Sequence, residues 1–566
     1  MKNKKKEIAV ISTILILQTL IYIVVGAKKS YIHMDEAYSL GLASFDKVEI
    51  QDNEDFYNTW HSKDYYEDYI SVQESEKGKY TQVYENQKND VHPPLYYLFL
   101  RIAMGFCRNG YSKWPGIAVN IIIFIGITLL TYLILQELLE NEKYAKEKSA
   151  ILALISAITM ASLTNVIYIR MYALSTFNIM LTTFLHIKLL KCGKVNPKLL
   201  FFIGLSALFG SLTHYYYLFF LAMMYLIFAI KFAKEKNWKN LGFYTLTMAV
   251  AAIISLAIFP YSINHMFFGY RGQGVIDKFK DISMFLGNIK EYLKKVNRFC
   301  FNGIGLYILL FEICAYIYLK MRKIILKSTK NDLLEEDGHL DEYEKPQNKK
   351  NSLENRKDYA SIEKFGIVQN KEIFSKCKII LAPTLFYFLL VAVASPWIEL
   401  RYIMPICSLI FAMGIYFAYI LLKNIFSEKA TNIVMTIILI AIIISPAIFK
   451  IEPEVMFSDK KEIVSILENE LNLPTLYVFY SENNRFLDDI LLFAKLDNSY
   501  IAKDLEYSSE NINQIFEGKD TSKGIIVFIN KDEENEKVLE PLCNTLNFKN
   551  IKYLKRMNAC NIYFID

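Results

Sequence analysis

The stretch IAVISTILILQTLIYIVVGAKKSYIHMDEAYS covers residues 8–39 and decides the class of this fold. Its first part, residues 8–27, is apolar and long enough to cross a hydrocarbon core about 30 Å thick. Lysines among residues 2–6 precede it, and positive charge accumulates on the cytoplasmic side of membrane proteins. Because the run exceeds the roughly 7–15 apolar residues of a signal peptide, we interpret it as an uncleaved first span. Two adjacent carboxylates, Asp35 and Glu36, follow where the chain leaves the membrane.

Comparable apolar runs recur along the whole chain, of which 53% is hydrophobic. Runs of about 17–22 apolar residues separated by short charged segments are typical of transmembrane helices. The sequence predicts about eleven of them, at residues 8–27, 115–136, 150–168, 173–190, 199–213, 216–231, 241–260, 301–319, 379–395, 402–421 and 431–449. The predicted fold class is a polytopic α-helical membrane protein, with its transmembrane domain at residues 1–450.

Counting crossings from a cytoplasmic N-terminus assigns each loop to one side of the membrane. The Lys-rich connections then fall inside, as the positive-inside rule expects, and Lys28 and Lys29 are the exception. Residues 28–92 become a first outer loop and residues 261–300 a second one. The charged stretch 320–378 lies inside, and we predict a disordered cytoplasmic linker there because it has no apolar periodicity.

The first outer loop is rich in aromatic residues, which predict helices lying at the membrane interface. These aromatics are Phe56, Tyr57, Trp60, Tyr65, Tyr66 and Tyr69. The segment 91–106 is short and contains Arg101, so we expect a re-entrant or juxtamembrane helix that starts at Pro93. We expect His33 and His61 to be solvated.

The tail, residues 452–566, differs from the rest in its pattern. Strand-like runs at 476–480 and 524–529 alternate with helix-like ones, which predicts a small α/β domain on the outer face. It has no glycine-rich phosphate loop, so we expect a structural or partner-facing domain.

Composition excludes some classes of function. The net charge of +6 is not gathered into a basic stripe on a soluble surface, so we expect no nucleic-acid partner. The 8 cysteines form no CxxC pair and are expected to be packing residues. The Lys-, Asn- and Ile-rich composition is typical of an AT-rich bacterial genome.

The predicted topology gathers polar residues at the outer ends of the spans, where they are costly and therefore indicate function. They are Asp35, Glu36, His92, Arg170, Tyr172, His214, His265, Arg271, Glu399, Arg401 and Tyr402. A carboxylate can act as a general base, arginines can hold a phosphate, and a carboxylate with histidines can hold a divalent cation. Group transfer from an anionic lipid phosphate would use all three.

Each of these residues also has a simpler explanation. Asp35 and Glu36 could be acids favoured by the dipole at the start of a helix. Arg271 and Arg401 could be interfacial anchors. His92, which is followed by two prolines, could simply mark the beginning of a helix and have no functional role.

Four motifs in order carry a resemblance to a known family. They are HMDEAYS at 33–39, HPPLYYLFL at 92–100, RMYALSTFN at 170–178 and RYIMP at 401–405. In this order the sequence resembles the GT-C superfamily of membrane glycosyltransferases. Within this superfamily, the sequence resembles most closely the bacterial branch related to the protein O-mannosyltransferases, the lipid A aminoarabinose transferase and the glycosyltransferases of the RgtA/B/C/D type. The resemblance covers roughly residues 8–420.

The resemblance implies roles for single residues. Asp35 would be the catalytic carboxylate, supported by Glu36, and the donor would be a polyprenyl-phosphate sugar attacked with inversion. The donor phosphate and substrate would be bound by His92, Arg170, Tyr172, Arg271, Arg401 and Tyr402. Metal use varies among such enzymes, so a divalent cation stays open, with Glu36, His92 and His265 as candidate ligands. Some members have an acid after the third span, where this chain has Tyr172 and Ser175.

Three hypotheses follow from the sequence. The first is an enzyme of the outer face of the cell membrane that transfers a sugar from the lipid donor to a protein, glycan or lipid acceptor. The second is a lipid or sugar transporter or flippase, which predicts broken helices and often an internal repeat. The third is a non-catalytic scaffold that presents the tail domain.

Overall fold

The computed structural model describes residues 2–44, 54–107, 110–193, 195–280, 283–337, 371–457, 466–467, 470–479, 486–530, 533–557 and 560–566. Most of the predicted cytoplasmic linker at 320–378 lies outside the described residues. The part that is described belongs to the ends of two helices, Gly305–Asp337 and Lys371–Ala394.

The apolar runs form helices at the positions that hydropathy predicts. Eight are long and apolar enough to cross a membrane: Lys5–Lys28, Trp114–Leu138, Tyr172–Cys192, Tyr217–Lys234, Trp238–Ile258, Glu372–Ala394, Met404–Ile425 and Glu428–Phe449. Two bent pairs raise the number to ten if each is one span: Ala145–Ala157 with Met160–Ile167, and Phe285–Cys300 with Gly305–Arg322. The run at 199–213 forms a shorter helix, Pro197–Ser211. The polytopic helical fold class is confirmed.

Burial separates the central helices from the peripheral ones. In the most apolar part of Met404–Ile425, 78% of the residues are buried inside the protein, and in Tyr172–Cys192 72%. The values for Lys5–Lys28 and Trp238–Ile258 are 11% and 17%. Since a helix whose apolar surface is not covered by protein needs lipid around it, the two peripheral helices face the bilayer.

Shorter helices occupy the loops. The first loop has helices Met34–Ser44, Lys63–Ile70 and Thr81–Asn89, followed by Leu95–Met104. The last of these confirms a short helix within 91–106, but the helix begins at Leu95 and not at Pro93 as predicted. The second loop has helices Tyr270–Lys280 and Phe285–Lys295, and the latter meets Gly305–Arg322 at 101°.

In the part of the chain that the structure describes, a six-stranded sheet takes five strands from the tail and packs with the tail helices Ile490–Phe493, Ser509–Ile515 and Asn535–Leu546. Its strands are β1 Trp60–Ser62, β2 Thr475–Phe479, β3 Asn498–Lys503, β4 Ile525–Asn530, β5 Ile551–Arg556 and β6 Cys560–Ile565, in the order β1-β3-β2-β4-β6-β5. Strands β3, β2 and β4 are parallel and the other pairings are antiparallel.

Strand β1 is not part of the tail but of the loop at residues 28–92, and it pairs with β3 through Trp60 and Tyr500. The two faces of the sheet pack against different parts of the protein, because successive side chains of a strand point to opposite sides. Leu476 and Val478 pack under the tail helices, whereas Tyr477 and Phe479 belong to the large cluster shared with the rest of the protein. The sheet domain is therefore built from both segments.

This pairing corrects two expectations about the first loop. Phe56, Tyr66 and Tyr69 are fully buried, because the tail domain and the neighbouring helices cover the aromatic surface that we expected at the membrane interface. His61 is buried rather than solvated: its Nε2 lies 2.9 Å from the carbonyl of Phe56 and its ring stacks on Tyr65 at 4.3 Å.

Candidate functional site

Helix Met34–Ser44 positions the two adjacent carboxylates, Asp35 and Glu36, in its first turn. The amide of Glu36 donates to the carbonyl of His33 at 2.8 Å, and Glu36 Oε2 accepts from the amide of His33 at 2.8 Å. The amide of Asp35 donates to His33 Nδ1 at 3.1 Å. Because neighbouring residues of a helix point about 100° apart, Asp35 and Glu36 reach different surroundings.

Asp35 lies in a cationic and phenolic environment. Its Oδ2 accepts from the Tyr168 hydroxyl at 2.7 Å and also from the Arg401 guanidinium. His33 Nδ1 lies 3.7 Å from the same oxygen. Burial by itself raises the pKa of Asp35, but Arg401 and Arg170 outweigh it and hold the pKa well below its usual range. Asp35 is therefore a carboxylate throughout the physiological range.

Glu36 has another partner. Its two carboxylate oxygens lie 2.6 and 2.7 Å from Lys29 Nζ, and Oε1 also accepts from the amide of Ile169 at 2.9 Å. Both side chains of the ion pair are fully buried, and Lys29 also donates to the carbonyl of Ile167 at 2.9 Å. These contacts occupy the oxygens of Glu36, so its placement fits support of the helix and not contact with a substrate or a metal ion.

Arg170 is a buried cation that interacts with the charges of Asp35 and Asp90 but forms no direct ion pair in the described part of the chain. It is 6% exposed, and its guanidinium donates to the Ser39 hydroxyl at 3.2 Å and to the Tyr97 hydroxyl at 3.5 Å. Within the described part of the chain no carboxylate lies within 4 Å of it. A buried charge is costly unless it is paired, so this position favours an anionic ligand.

A chain of rings leads from Asp35 to His92. Tyr172 stacks on Tyr168 with ring centroids 6.0 Å apart and contacts His214 at 5.5 Å, and His214 lies 6.1 Å from His92. His92 Nδ1 is 2.8 Å from a carboxylate oxygen of Asp90. Burial lowers the pKa of His92, although Asp90 partly offsets this, so the ring is neutral near pH 7.

Arg271 and Arg401 meet at one aromatic ring. The Arg271 guanidinium lies 4.8 Å from the centre of the Trp397 ring, and that of Arg401 lies 5.9 Å from it. Arg401 also lies 5.2 Å from the Tyr402 ring. Such cation–π contacts orient a guanidinium without neutralising it. Among the residues that the structure describes, no carboxylate is within 4 Å of Arg271.

The proposed metal ligands are not brought together. His265 Nδ1 is 2.8 Å from the Tyr215 hydroxyl and its Nε2 is 3.1 Å from the carbonyl of Lys88, so both ring nitrogens have partners. Over the described ranges, no group of three or more His, Cys, Asp or Glu side chains is arranged to hold a metal ion. Among the described residues, the candidates Glu36, His92 and His265 therefore do not fit a bound divalent cation.

Three residues of the site were missed by the sequence reasoning: Lys29, Asp90 and Tyr168. Lys29 was visible as an exception to the positive-inside pattern, and its burial against Glu36 explains that exception. Tyr168 precedes Arg170 by two residues, but nothing in its local pattern marks it as a partner of Asp35. His33 is half-buried rather than solvated, since it lies between Tyr168 and Phe457.

No protein-family model and no curated protein sequence matches the chain. Among solved structures, it is similar to ArnT from Cupriavidus metallidurans bound to undecaprenyl phosphate. The similarity covers 97% of each chain, with 8% sequence identity and a TM-score of 0.45. At this TM-score it assigns no role to any residue. The chain is a multi-pass helical membrane protein with a C-terminal sheet domain, and it is similar to ArnT in the course of its chain.

Proposed function

We propose that the protein is a membrane glycosyltransferase that moves a sugar from a polyprenyl-phosphate donor to an acceptor at the outer face of the cell membrane. The observation that carries the proposal is the pairing of Asp35 with Arg401 beside a second buried cation, Arg170, that has no carboxylate of its own. The order of the four sequence motifs supports the same class of enzyme.

The arginines suit the phosphate of a lipid donor. Guanidinium groups bind phosphate through paired, charge-assisted hydrogen bonds, and these strengthen as charge develops on the leaving phosphate. Arg170 and Arg271 have no carboxylate within 4 Å among the described residues, and Arg401 shares one. In this proposal the three bind the donor phosphate, and Tyr172 and Tyr402 line the site beside them.

Asp35 is the base in this scheme. It takes the proton of the acceptor hydroxyl or amine while that group attacks the anomeric carbon from the side opposite the phosphate. The bond between the anomeric carbon and the phosphate oxygen breaks, and polyprenyl phosphate leaves with the electron pair. The configuration at the anomeric carbon is inverted.

The ion pair with Arg401 makes Asp35 a weak base before the donor binds. A phosphate that competes for Arg401 and Arg170 removes the groups that lower the pKa of Asp35 and adds a negative charge nearby. Both changes raise the pKa of the carboxylate toward the range in which it accepts a proton efficiently. Donor binding thereby prepares the base.

The test is a transfer assay with purified protein and native lipid extract, comparing the wild type with Asp35→Asn. The matched control is Asp68→Asn, which changes an exposed carboxylate of the same loop. We expect free polyprenyl phosphate from the wild type and the control, and a loss of about a hundredfold or more in Asp35→Asn. Equal release from all three proteins would show that Asp35 begins a helix and has no catalytic part.

One observation favours the transporter alternative. Helices Ala145–Ala157 and Met160–Ile167 are bent by 59° at their junction, and broken helices are typical of transporter binding sites. A transporter would move the intact donor across the membrane of a vesicle without releasing polyprenyl phosphate. Transport by Asp35→Asn at the wild-type rate, with no release by either protein, would establish that alternative.

A further inference from the structure

We propose that Asp488 of the C-terminal domain is a positioning residue that fixes the helix carrying Asp35. The inference rests on the proposed function only in taking Asp35 as the base. It assigns a catalytic purpose to the docking of the tail, which the sequence left as a structural or partner-facing domain.

The contact joins residues 454 positions apart. The amide of Met34, the first residue of helix Met34–Ser44, donates to Asp488 Oδ1 at 3.0 Å. Asp488 ends the short 3-10 helix Phe486–Asp488 and is fully buried. A carboxylate at this place satisfies one of the unpaired amides of a helix start and interacts favourably with the helix dipole.

The other amides of the first turn are held from within the loop. Those of Asp35 and Glu36 both donate to His33, to its ring nitrogen and its carbonyl respectively. Asp488 is therefore the contact that ties this turn to a separate domain. Asp488 holds the peptide unit between His33 and Met34, which is one residue before the peptide unit that leads into Asp35. It therefore fixes the start of the helix turn from which the Asp35 side chain leaves the backbone.

Two more contacts connect the tail to the chain just before the helix. The amide of Ser30 donates to the carbonyl of Met456 at 3.1 Å, and the His33 ring stacks on Phe457 with centroids 6.4 Å apart. The segment 30–34 is thus held from the tail side at both ends. A catalytic group misplaced by about 1 Å can lose a hundredfold in rate, so this support matters for chemistry more than for overall stability.

The experiment compares Asp488→Ala with Asp488→Asn, which keeps an oxygen acceptor at the same place. Ser508→Ala is the matched control, because Ser508 Oγ accepts from the amide of Asn511 and begins another helix of the same domain. We expect kcat to fall about tenfold to a hundredfold in Asp488→Ala with KM for the lipid donor unchanged. Asp488→Asn should recover most of kcat, and Ser508→Ala should match the wild type.

Met34→Pro tests the same bond from the other side. Proline is well tolerated as the first residue of a helix and has no amide hydrogen to donate. If Asp488→Ala does not fold, Met34→Pro alone decides, and it should reproduce the loss of kcat. A wild-type kcat in either variant, or an equal loss in Ser508→Ala, would overturn the proposal.

Hydrogen exchange of residues 31–40 separates this inference from the proposed function, because it needs no substrate. We expect faster exchange there in Asp488→Ala than in the wild type or in Ser508→Ala. If the wild type transfers no sugar but exchange changes as expected, the proposed function fails and the positioning contact stands. Unchanged exchange would contradict the contact whatever the activity.

Discussion

Arg401 donates a hydrogen bond to Oδ2 of Asp35, so the loop at residues 28–92 is bound to a short turn 366 residues later in the chain. Tyr168 donates to the same oxygen from a third element. The carboxylate is therefore held where several connecting segments meet, and its protonation depends on groups far away in sequence.

The first prediction concerns pH. Arg401 is the strongest of the groups that lower the pKa of Asp35, so Arg401→Gln raises that pKa. A carboxylate with a higher pKa takes up a proton at a higher pH, and a protonated Asp35 is no base. The acidic limb of kcat/KM should therefore move to higher pH in Arg401→Gln, measured between pH 4 and 8. Arg401→Lys keeps the positive charge and should leave the limb closer to the wild type; identical limbs in all three would contradict the pairing.

The second prediction concerns the buried pair of Lys29 and Glu36. Lys29→Met leaves a buried carboxylate without its cation, which costs about 3–5 kcal/mol of unfolding free energy. The neighbouring Lys28 is exposed, so Lys28→Met is the matched control and should unfold like the wild type. Thermal unfolding in detergent is the measurement. The double variant Lys29→Met/Glu36→Gln should regain part of the lost stability. If Lys29→Met and Lys28→Met unfold at the same temperature, the pair of Lys29 and Glu36 is not a structural support.

The third prediction concerns Arg170. If it binds the donor phosphate, Arg170→Gln removes a charge-assisted hydrogen bond worth about 1.5–3 kcal/mol, which is a loss of tenfold or more in affinity for polyprenyl phosphate. Calorimetry with the detergent-solubilised protein measures it. Arg322→Gln, at an exposed arginine that ends the bent pair of Phe285–Cys300 and Gly305–Arg322, is the control. If the affinity of Arg170→Gln for polyprenyl phosphate equals that of the wild type, Arg170 does not bind the donor phosphate.

The fourth prediction concerns topology. Ser62 and Lys239 are both exposed and are predicted to lie on opposite sides of the membrane. The background is Cys107→Ser with Cys543→Ser, which removes the two partly exposed cysteines predicted to lie outside. In it, Ser62→Cys should react with an impermeant maleimide in intact cells. Lys239→Cys should react only after the membrane is opened. The reverse pattern would place the whole site on the cytoplasmic side.

The sequence alone determined the membrane architecture, because hydropathy acts over a window of one helix. The runs from 8–27 to 431–449 recur as helices, but 199–213 is shorter than a full span, 150–168 is broken, and 301–319 belongs to the second bent pair. Motif order also selected Asp35, Arg170 and Arg401, since functional polar residues at membrane ends stand out against an apolar background.

Only the tertiary structure decided how these residues pair. Glu36 looks as reactive as Asp35 in sequence, yet a buried lysine neutralises it, and the difference comes from a rotation of about 100° along one helix. Strand β1 and Asp488 join the first loop to the tail across more than 400 residues. No local period encodes such contacts, because their energy depends on which surfaces are brought together once the helices have packed.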